Sequence, residues 1–327
     1  MGINFKDITL KKPISIEELR GKKLAVDAYN IMYQFVSAIR QRDGTPLADK
    51  DGNITSHLNG LFYRTMKLIQ AGIKPCFVFD GDAPELKAAT QDARIKIKVK
   101  AEQKYKDALE KGDMETARKF AQQTSRITSE MVAEAKELLS AMGLPCIQAI
   151  GDAEAQAAYM AQKGQVWAIV SQDYDALLFG SPRSVRNLTI SQKRKGGKII
   201  TPEIIYLSDT LNTHKIDLPK LVNAAILVGT DYNEGVKGIG PKTAIKIVQE
   251  GRFSEFEDKI PRLKAVQTIF LKPAITNNYS LEWKSLDVKK IKEILCERHG
   301  FGEVRVNNSL GLKKSEADKA QSSLGDF

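Results

Sequence analysis

Four short apolar runs lead up to aspartates in this sequence, and they restrict the fold more than any other feature. The runs are Lys-Leu-Ala-Val before Asp27, Cys-Phe-Val-Phe before Asp80, Trp-Ala-Ile-Val shortly before Asp173 and Ala-Ile-Leu-Val shortly before Asp231. Continuous apolar runs of this length are typical of strands buried in a parallel sheet. Ligands of open α/β sheets lie outside the carboxyl ends of the strands, so the four aspartates are predicted to converge on one crevice.

Two closely spaced acid pairs add to this group. Asp152-Ala-Glu154 stands at the start of a predicted helix, and Asp173-Tyr-Asp175 follows the third apolar run. A single aspartate after a strand commonly caps a helix, so each isolated aspartate allows that alternative. The pairs favour metal binding, because two like charges about 4 Å apart repel by roughly 4 kcal/mol at an effective dielectric constant near 20.

The type of ligand and the overall charge together indicate a class of substrate. Ligation by oxygen alone is typical of magnesium or manganese rather than zinc. Two such ions can clamp a phosphodiester for hydrolysis. Lys and Arg outnumber Asp and Glu by 50 to 40, which gives a formal charge of +10 and a pI near 9.3. This excess suits a polyanionic partner such as nucleic acid.

Cysteine content and hydropathy predict a protein of a reducing compartment. The three cysteines, Cys76, Cys146 and Cys296, lie far apart and show no zinc-binding spacing. The first residues do not resemble a signal peptide, and no apolar run approaches the roughly 18 residues of a membrane span. We therefore expect no membrane association.

The chain divides by composition into several segments. An α/β unit is predicted from about residue 20 to 82, and α/β alternation resumes near 129 and continues to about 231. Between them, residues 87–126 contain eleven Lys or Arg against six Asp or Glu and no proline. This segment is predicted to be a helical insert with little buried face. From residue 308 the chain is polar and is predicted to be a flexible tail.

Taken together, these motifs resemble those of the flap endonucleases, structure-specific 5′ nucleases of DNA replication and repair. The motifs are Met-Gly-Ile at the start, Ala-Val-Asp27-Ala, Phe-Val-Phe-Asp80-Gly, Ile-Gly-Asp152-Ala-Glu154-Ala, Ser-Gln-Asp173-Tyr-Asp175, Phe179-Gly-Ser-Pro, Leu-Val-Gly-Thr-Asp231-Tyr-Asn and Gly238-Ile-Gly-Pro-Lys. The resemblance covers nearly the whole chain, and the short C-terminus is similar to that of archaeal members. It implies cleavage one nucleotide into the duplex at a 5′ flap junction.

The resemblance also implies that two divalent ions are held by all of the acids named above. The implied ligands are Asp27, Asp80, Asp152 and Glu154 for one ion, and Asp173, Asp175 and Asp231 for the other. Many members have Glu where this chain has Asp152, so contact through a water molecule is expected at that shorter side chain.

Three further residues near the acids acquire roles from the resemblance. Lys87 and Arg94 match catalytic cations at the base of a helical arch, where they would stabilise charge that develops on the scissile phosphate. The alternative for such residues is a solvated basic helix face. Tyr33 matches an aromatic that stacks on a base near the cleavage site, although its apolar neighbours also suit a buried position in the core. The remainder of the insert would then follow the single-stranded flap.

A glycine-punctuated segment is expected to contact duplex DNA. It contains Gly238, Gly240, Lys242 and Lys246, and its proline suits the first turn of a helix, whose free N–H groups attract anions. The resemblance implies a helix–two-turn–helix element that grips duplex DNA and holds a potassium ion through backbone carbonyls. Many relatives have Ser at the position of Gly235.

Two other segments match binding regions of the family. Thr55, Arg64 and the segment His299-Gly-Phe301 match a pocket for a one-nucleotide 3′ flap. The last residues, Gln321, Leu324 and Phe327, have the spacing Gln-x-x-Leu-x-x-Phe. This spacing resembles the peptide by which replication proteins bind the sliding clamp, in which a single turn presents the apolar side chains together. The family motif ends in two adjacent aromatics, and this chain has the first of them. An inert polar tail is the alternative.

The sequence therefore predicts an α/β fold with a mostly parallel central sheet flanked by helices. Residues 1–307 are predicted to form a nuclease domain with a helical arch at 82–128 and a helix–two-turn–helix region at 215–260, followed by a flexible tail at 308–327. The predicted activity is a magnesium-dependent 5′ flap endonuclease with 5′–3′ exonuclease activity, in which manganese can substitute. We expect a monomer that acts on branched DNA with the clamp, at replication sites in the archaeal cytoplasm, or in the nucleus of a eukaryote.

Two other classes of function stay open at the level of sequence. Asp173-Tyr-Asp175 after a strand superficially matches the nucleophile motif of aspartyl-phosphate phosphatases, in which a Thr or Val would stand in place of Leu177. The second alternative is a non-catalytic module that binds DNA junctions and has lost its metal site. The complete set of acids argues against such a loss.

Overall fold

A seven-stranded sheet forms the centre of the computed structural model, which describes residues 3–41, 43–82, 85–190, 194–195 and 198–312. The side chains of residues 85, 88–96, 190, 194–195 and 198–199 lie outside that description. The strands are β1 Lys11–Pro13, β2 Lys23–Asp27, β3 Lys74–Phe79, β4 Cys146–Gln148, β5 Ala168–Val170, β6 Arg183–Arg186, β7 Arg194–Lys195, β8 Lys198–Ile199 and β9 Glu203–Tyr206. The order in the sheet is β1-β9-β6-β5-β2-β3-β4, while β7 and β8 pair separately.

Helices cover both faces of this sheet, and further helices form the basic insert and the C-terminal part of the described chain. The α-helices are α1 Ala28–Ala38, α2 Ser56–Gln70, α3 Ala88–Glu110, α4 Met114–Ala121, α5 Ser129–Ala141, α6 Ala153–Gln162, α7 Asp175–Leu178, α8 Leu207–His214, α9 Leu218–Val228, α10 Pro241–Gln249, α11 Leu263–Leu271, α12 Val288–Lys292 and α13 Glu303–Leu310. Short 3₁₀ turns lie at Glu17–Leu19, Glu85–Lys87, Gln122–Thr124, Leu188–Ile190 and Arg252–Lys259, and a π-helical turn spans Glu293–Arg298. None of the described helices is long and apolar enough to cross a membrane.

The centre of the sheet is parallel, as the sequence predicts. Strand β2 pairs in parallel with β3 on one side and β5 on the other, and Val26 stands opposite both Phe77 and Val170. The outer pairs of β9 with β6 and with β1 are antiparallel. The carboxyl ends of β2, β3 and β5 therefore meet at one edge, where the chain continues into the predicted acidic motifs.

Both faces of the central strands are buried, which explains their continuous apolar sequences. In β2, Ala25 packs into the cluster beneath α6, α7, α9 and α10, whereas Leu24 and Val26 pack into the cluster beneath α1, α2 and α5. Alternate residues of a strand face opposite sides of a sheet, and here each side is a hydrophobic core. Full burial of a side chain such as Val, Leu or Phe stabilises a fold by roughly 1.5–3 kcal/mol, so the strands are held firmly in register.

The basic insert is helical and forms a two-helix hairpin from α3 and α4. Small side chains mediate the packing between the two helices, with Ala101, Ala108, Ala117 and Ala121 buried. Most of the remaining described surface of α3 is exposed, which agrees with the predicted lack of a broad apolar face.

One strand prediction is wrong. The run Ala-Ile-Leu-Val before Asp231 lies at the end of helix α9, not in a strand. Asp217 caps this helix by accepting a hydrogen bond from the Lys220 amide, and a proline occupies its first turn. A short apolar run in a fully buried helix has no visible periodicity, so the sequence pattern alone does not distinguish it from a buried strand.

Residues 273–287 follow α11 and form a long segment without helix or strand. This segment packs against helix α6 and strand β3. The side chain of Gln156 donates to the carbonyl of Thr276 at 3.0 Å and accepts from its amide at 2.8 Å. The indole of Trp283 donates to the carbonyl of Pro75 at 2.8 Å. These hydrogen bonds fix the position of a segment that has no regular secondary structure.

Helix α13 extends past residue 308, the predicted start of the tail.

A cluster of histidines and carboxylates attaches the loop between α1 and α2 to the C-terminal region. The side chain of Asp49 accepts hydrogen bonds from Asn53 and lies 2.9 Å from Nδ1 of His299. The other ring nitrogen of His299 lies 3.2 Å from Glu134, which also lies 3.2 Å from the buried His57. The hydrogen bond with His299 is the main reason that the pKa of Asp49 is lowered to about 2.

We expect Asp49→Asn to destabilise the protein at neutral pH but not in strong acid. A carboxyl whose pKa is lower in the folded than in the unfolded state stabilises the fold above its unfolded value and loses this contribution as the pH falls towards about 2. The amide variant keeps the shape but not the charge. Melting temperatures measured from about pH 7 down to about pH 2.5 should therefore differ between wild type and variant at the upper end and converge at the lower end.

The exposed Asp51→Asn variant is the matched control for that experiment, because it removes one charge from the same loop. A difference in melting temperature that stays constant over the whole pH range would contradict the assignment of this contribution to the Asp49 charge.

Candidate active site

Asp27 and Asp80 stand at the ends of neighbouring strands, and both accept hydrogen bonds from helix amides. Asp27 ends β2 and caps α1 through the amide of Asn30 at 3.0 Å. Asp80 follows β3 and accepts from the amide of Ala153, the first residue of α6, at 2.7 Å. The same two side chains therefore cap helices and contribute to the acidic site. The capping hydrogen bonds fix the positions of their carboxylates.

The loops that carry Asp80 and Asp152 touch through their backbones. The amide of Gly81 donates to the carbonyl of Gly151 at 2.7 Å. A Cβ atom added at Gly81 would lie 2.2 Å from the carbonyl oxygen of Ile150, so a side chain cannot fit there. Glycine at this position allows the two acidic loops to approach each other.

The pair Asp152 and Glu154 opens α6, as the sequence predicts. Asp152 accepts hydrogen bonds from the ammonium group of Lys87 and from the hydroxyl of Tyr232. Glu154 accepts a hydrogen bond of 3.2 Å from the hydroxyl of Ser171, at the end of β5.

Asp173 and Asp175 are held by donors from distant parts of the chain. The side-chain amide of Asn30 donates to Asp173 at 2.8 Å, and the oxygen of the same side chain accepts from the amide of Gln172 at 3.1 Å. The backbone amide of Ile3 donates to Asp175 at 2.9 Å. Asn30, Ile3, Ser171 and Tyr232 were not among the sequence candidates. Asn30 follows Asp27 on the first turn of α1, and its position there was the available signal.

The electrostatics show that the acids face one another. Burial and then the charge of Asp80 raise the pKa of Asp27 well above its usual value. Burial and then the charges of Asp27 and Asp175 do the same for Glu154. Burial and then Asp173 raise the pKa of Asp175 to about 7, with a further contribution from Asp231. Burial also raises the pKa of Asp80, and Asp152 adds to that shift. The seven predicted acids thus form one group, the carboxylate cluster.

The donor set of this carboxylate cluster fits hard divalent cations. In this structure the carboxylates accept hydrogen bonds from protein donors. Within the described residues, no three His, Cys, Asp or Glu side chains lie close enough together to bind one ion. The cluster nevertheless supplies oxygen atoms without sulfur or imidazole, which favours magnesium or manganese over zinc. Burial and then repulsion raise the pKa of Asp27, Glu154 and Asp175, and this repulsion favours binding of a cation without selecting between metals.

Lys87 and Tyr33 border the carboxylate cluster from different elements. Lys87 lies in the turn before α3, and its charge opposes the upward pKa shifts of Asp27, Asp80 and Asp175. The ring of Tyr33 is 38% exposed on α1, so the alternative of a core position is wrong. The ammonium of Lys98, on α3, lies 5.3 Å from the centre of this ring. The side chain of Arg94 lies outside the described residues.

The predicted helix–two-turn–helix region, residues 215–260, contains α9, the turns at residues 229–240, α10 and the 3₁₀ turn Arg252–Lys259. A Cβ atom at Gly235 would lie 2.5 Å from the backbone nitrogen of Gly229, and Gly235 has a φ angle of +79°, so the packing of these turns requires glycine there. Gly238 and Gly240 have open space around them, and Lys242 and Lys246 lie on the exposed face of α10. This arrangement leaves one side of the element accessible.

The residues predicted to contact a 3′ flap make internal contacts. Arg64 donates to the carbonyl of Thr189 and lies 5.3 Å over the ring of Phe35. Thr55 is buried at the start of α2. His299 binds Asp49 as described above. The tail residues Gln321, Leu324 and Phe327 lie outside the described residues.

Comparison with known proteins places this geometry in a family. Residues 4–101 match the XPG N-terminal domain and residues 143–231 match the XPG I-region. The chain is 51% identical to flap endonuclease 1 of Pyrococcus horikoshii, over 99% of this chain and 97% of that protein. The chain belongs to the flap endonuclease 1 family. It is therefore a structure-specific 5′ flap endonuclease, a DNA-binding nuclease of replication and repair, in a family that depends on metal ions.

Solved structures agree with this family assignment. Flap endonuclease-1 from Methanococcus jannaschii matches with a TM-score of 0.78 at 45% identity and covers 95% of this chain and 97% of that one. The catalytic core of Rad2 in complex with DNA substrate matches with a TM-score of 0.71 at 25% identity, over 95% of this chain and 99% of that one. Membership of a nuclease family supports neither the phosphatase nor the non-catalytic alternative.

We expect magnesium to raise the melting temperature of the metal-free enzyme by several degrees at about pH 8, and by less at about pH 5. Carboxyls with a raised pKa destabilise the fold as the pH rises from their unfolded value, near 4, towards their folded value, which is about 7 for Asp175. A cation relieves this repulsion, while protons compete with it.

The measurement is a thermal melt of protein treated with a chelator, with and without magnesium, at both pH values. Sodium chloride of equal ionic strength is the control for screening. An equal shift with sodium chloride, or a larger magnesium effect at the acidic pH, would argue against a divalent site in the carboxylate cluster.

Proposed function

We propose that the carboxylate cluster holds two magnesium ions for hydrolysis of the phosphodiester one nucleotide into the duplex. Asp27, Asp80, Asp152 and Glu154 would serve mainly one ion, and Asp173, Asp175 and Asp231 mainly the other. When bound, the ions supply an activated water for in-line attack and stabilise the leaving 3′ oxygen. The mutual repulsion of the buried carboxylates is the observation that supports this proposal. Manganese is expected to substitute.

The protein's own cations orient the scissile phosphate. Lys87 carries its ammonium at the carboxylate cluster and would donate a hydrogen bond to a phosphate oxygen as negative charge develops there. Arg94 would act on the same phosphate from the next turns of α3. Both residues belong to the insert, so the base of the insert would form one side of the site.

The exposed ring of Tyr33 would stack on a base beside the cleaved bond. Its exposure supports this role, because stacking needs an accessible face. The basic hairpin of α3 and α4 would follow the single-stranded 5′ flap through its charge. On a nicked or gapped duplex the same site would give 5′–3′ exonuclease activity.

The duplex would bind along the turns between α9 and α10. Gly238 and Gly240 allow close approach of a phosphate, and Lys242 and Lys246 would neutralise backbone charge. Backbone carbonyls of these turns would hold a potassium ion, without a side-chain ligand at Gly235. Thr55 ends the loop that His299 fixes, and Arg64 lies farther along α2 beside Phe35; this region would receive a 3′ flap.

Partners and location complete the proposal. We propose a monomer that acts on branched DNA at replication sites, in the cytoplasm of an archaeal cell or in the nucleus of a eukaryote. The sliding clamp would bind the tail through Gln321, Leu324 and Phe327.

Asp173→Ala tests the assignment of the metal site on a labelled double-flap DNA. We expect cleavage to be abolished in saturating magnesium, since the change removes one ligand. Binding of the flap DNA, measured in calcium, should stay within about tenfold because repulsion between carboxylate and phosphate is relieved. The wild-type cut should map one nucleotide into the duplex and leave a 5′-phosphate.

The exposed Glu17→Ala variant serves as the control for loss of one negative charge, because Glu17 lies in the turn before β2, away from the carboxyl ends of the strands, and it should cleave like wild type. Substantial cleavage by Asp173→Ala would exclude Asp173 from the metal site.

Deletion of residues 321–327 should remove stimulation by the cognate clamp and leave cleavage without the clamp unchanged. A tail peptide extended by one aromatic residue should bind the clamp with micromolar affinity, because the apolar side chains of one turn form the contact. Titration calorimetry and flap cleavage with and without the clamp provide the two measurements. Full stimulation of the deleted enzyme would show that the clamp binds elsewhere.

A further inference from the structure

Tyr232 lies at the meeting point of the carboxylate cluster and the basic insert. It follows Asp231 in the turn after α9, and its side chain is 6% exposed. Its hydroxyl donates to Oδ2 of Asp152. The ammonium of Lys87 lies 5.2 Å from the centre of its ring and donates to Oδ1 of Asp152. The phenol, the ammonium and the carboxylate therefore each contact the other two.

The ring of Tyr232 is itself held in place by aromatic packing. Phe270, a buried residue of α11, meets the ring at 80° with 5.3 Å between ring centres. Phe270 in turn packs against Phe179 at 5.1 Å. These contacts attach the phenol ring to the hydrophobic core. The ring of Tyr232 is therefore held more rigidly than the flexible side chain of Lys87 beside it.

Two different surfaces of the one side chain act on two different groups. The face of an aromatic ring carries partial negative charge and attracts a cation, whereas the hydroxyl group at its edge donates to an anion. A lysine ammonium has a flexible four-carbon stem and would otherwise follow its carboxylate partner through many rotamers. The ring face limits these positions, and the hydroxyl restrains the carboxylate that Lys87 contacts.

We propose that Tyr232 is a positioning residue for Lys87 and Asp152, which presents the ammonium to the scissile phosphate and sets the orientation of the carboxylate. This inference rests on the proposed roles of Lys87 in orienting the phosphate and of Asp152 in the metal site. This role requires no contact between Tyr232 and the substrate. It acts through the two residues that its ring face and hydroxyl hold.

Two substitutions separate the two surfaces of the side chain. Tyr232→Phe keeps the ring, its packing on Phe270 and the face under Lys87, but removes the hydroxyl. We expect it to slow single-turnover cleavage by roughly tenfold, the scale of one hydrogen bond to a charged group. It should also change the magnesium concentration that gives half of the maximal melting-temperature shift, because Asp152 loses a restraint. Tyr232→Leu removes both surfaces, and its rate should fall by about 10²–10³, as for loss of a preorganised donor.

A double-mutant cycle with Lys87→Met shows whether Tyr232 acts through Lys87. If it does, the rates of Tyr232→Phe and Tyr232→Leu should differ by less than about threefold in the Lys87→Met background, where the ring face has no ammonium to hold. Tyr159→Phe is the matched control for the hydroxyl, because that phenol donates to Asn277 at 2.9 Å on the outer side of α6. It should match wild type in rate and in its response to magnesium.

The outcomes distinguish this inference from the function on which it rests. A difference between Tyr232→Phe and Tyr232→Leu that stays the same in the Lys87→Met background, or a Tyr232→Phe enzyme with the wild-type rate and magnesium response, would overturn the positioning role while Lys87 keeps its own. A Lys87→Met enzyme with the wild-type rate would instead overturn the role proposed for Lys87, and the inference about Tyr232 with it.

Discussion

Repulsion among buried carboxylates is the constraint on which the rest of this structure depends. The cluster is kept together by single hydrogen bonds from separate elements, among them the amides of Ile3, Asn30 and Ala153. These amides carry no full charge and Lys87 supplies one counter-charge, so the hydrophobic core must offset the remaining cost. The sheet is buried on both faces, and this core is what keeps the strand ends fixed.

Helix capping and charge clustering are therefore combined in this site. Asp27 caps the helix that follows it, and Asp80 caps a helix that begins much later in the chain. Each of these hydrogen bonds is made to one oxygen, Oδ1, of the carboxylate. A carboxylate that is oriented before a cation arrives has less conformational entropy to lose on binding, which favours tight and specific coordination.

The central fold and the acids of the site could be predicted from sequence because side-chain patterns encode them. Apolar runs mark β2, β3 and β5, and the acids stand at their ends. Backbone donors and contacts between distant segments leave no such pattern in the sequence. A backbone donor such as the amide of Ile3 is present in almost any residue, and Tyr232 acquires its neighbours from three separate segments of the chain. The run before Asp231 failed because a buried helix and a buried strand have the same apolar composition.

The central sheet is built from strands of both halves of the chain. Strands β2 and β3, which precede the basic insert, lie between β5 and β4, which follow it. Neither half of the chain can form the central sheet alone, so the two halves must fold together. Helices α3 and α4 pack mainly on each other and take no part in the sheet, so the hairpin beyond residue 94 can differ in length or charge between relatives without disturbing the strands. The choice of DNA branch would then change while the two cations proposed to act on the phosphate stay at the base of the insert.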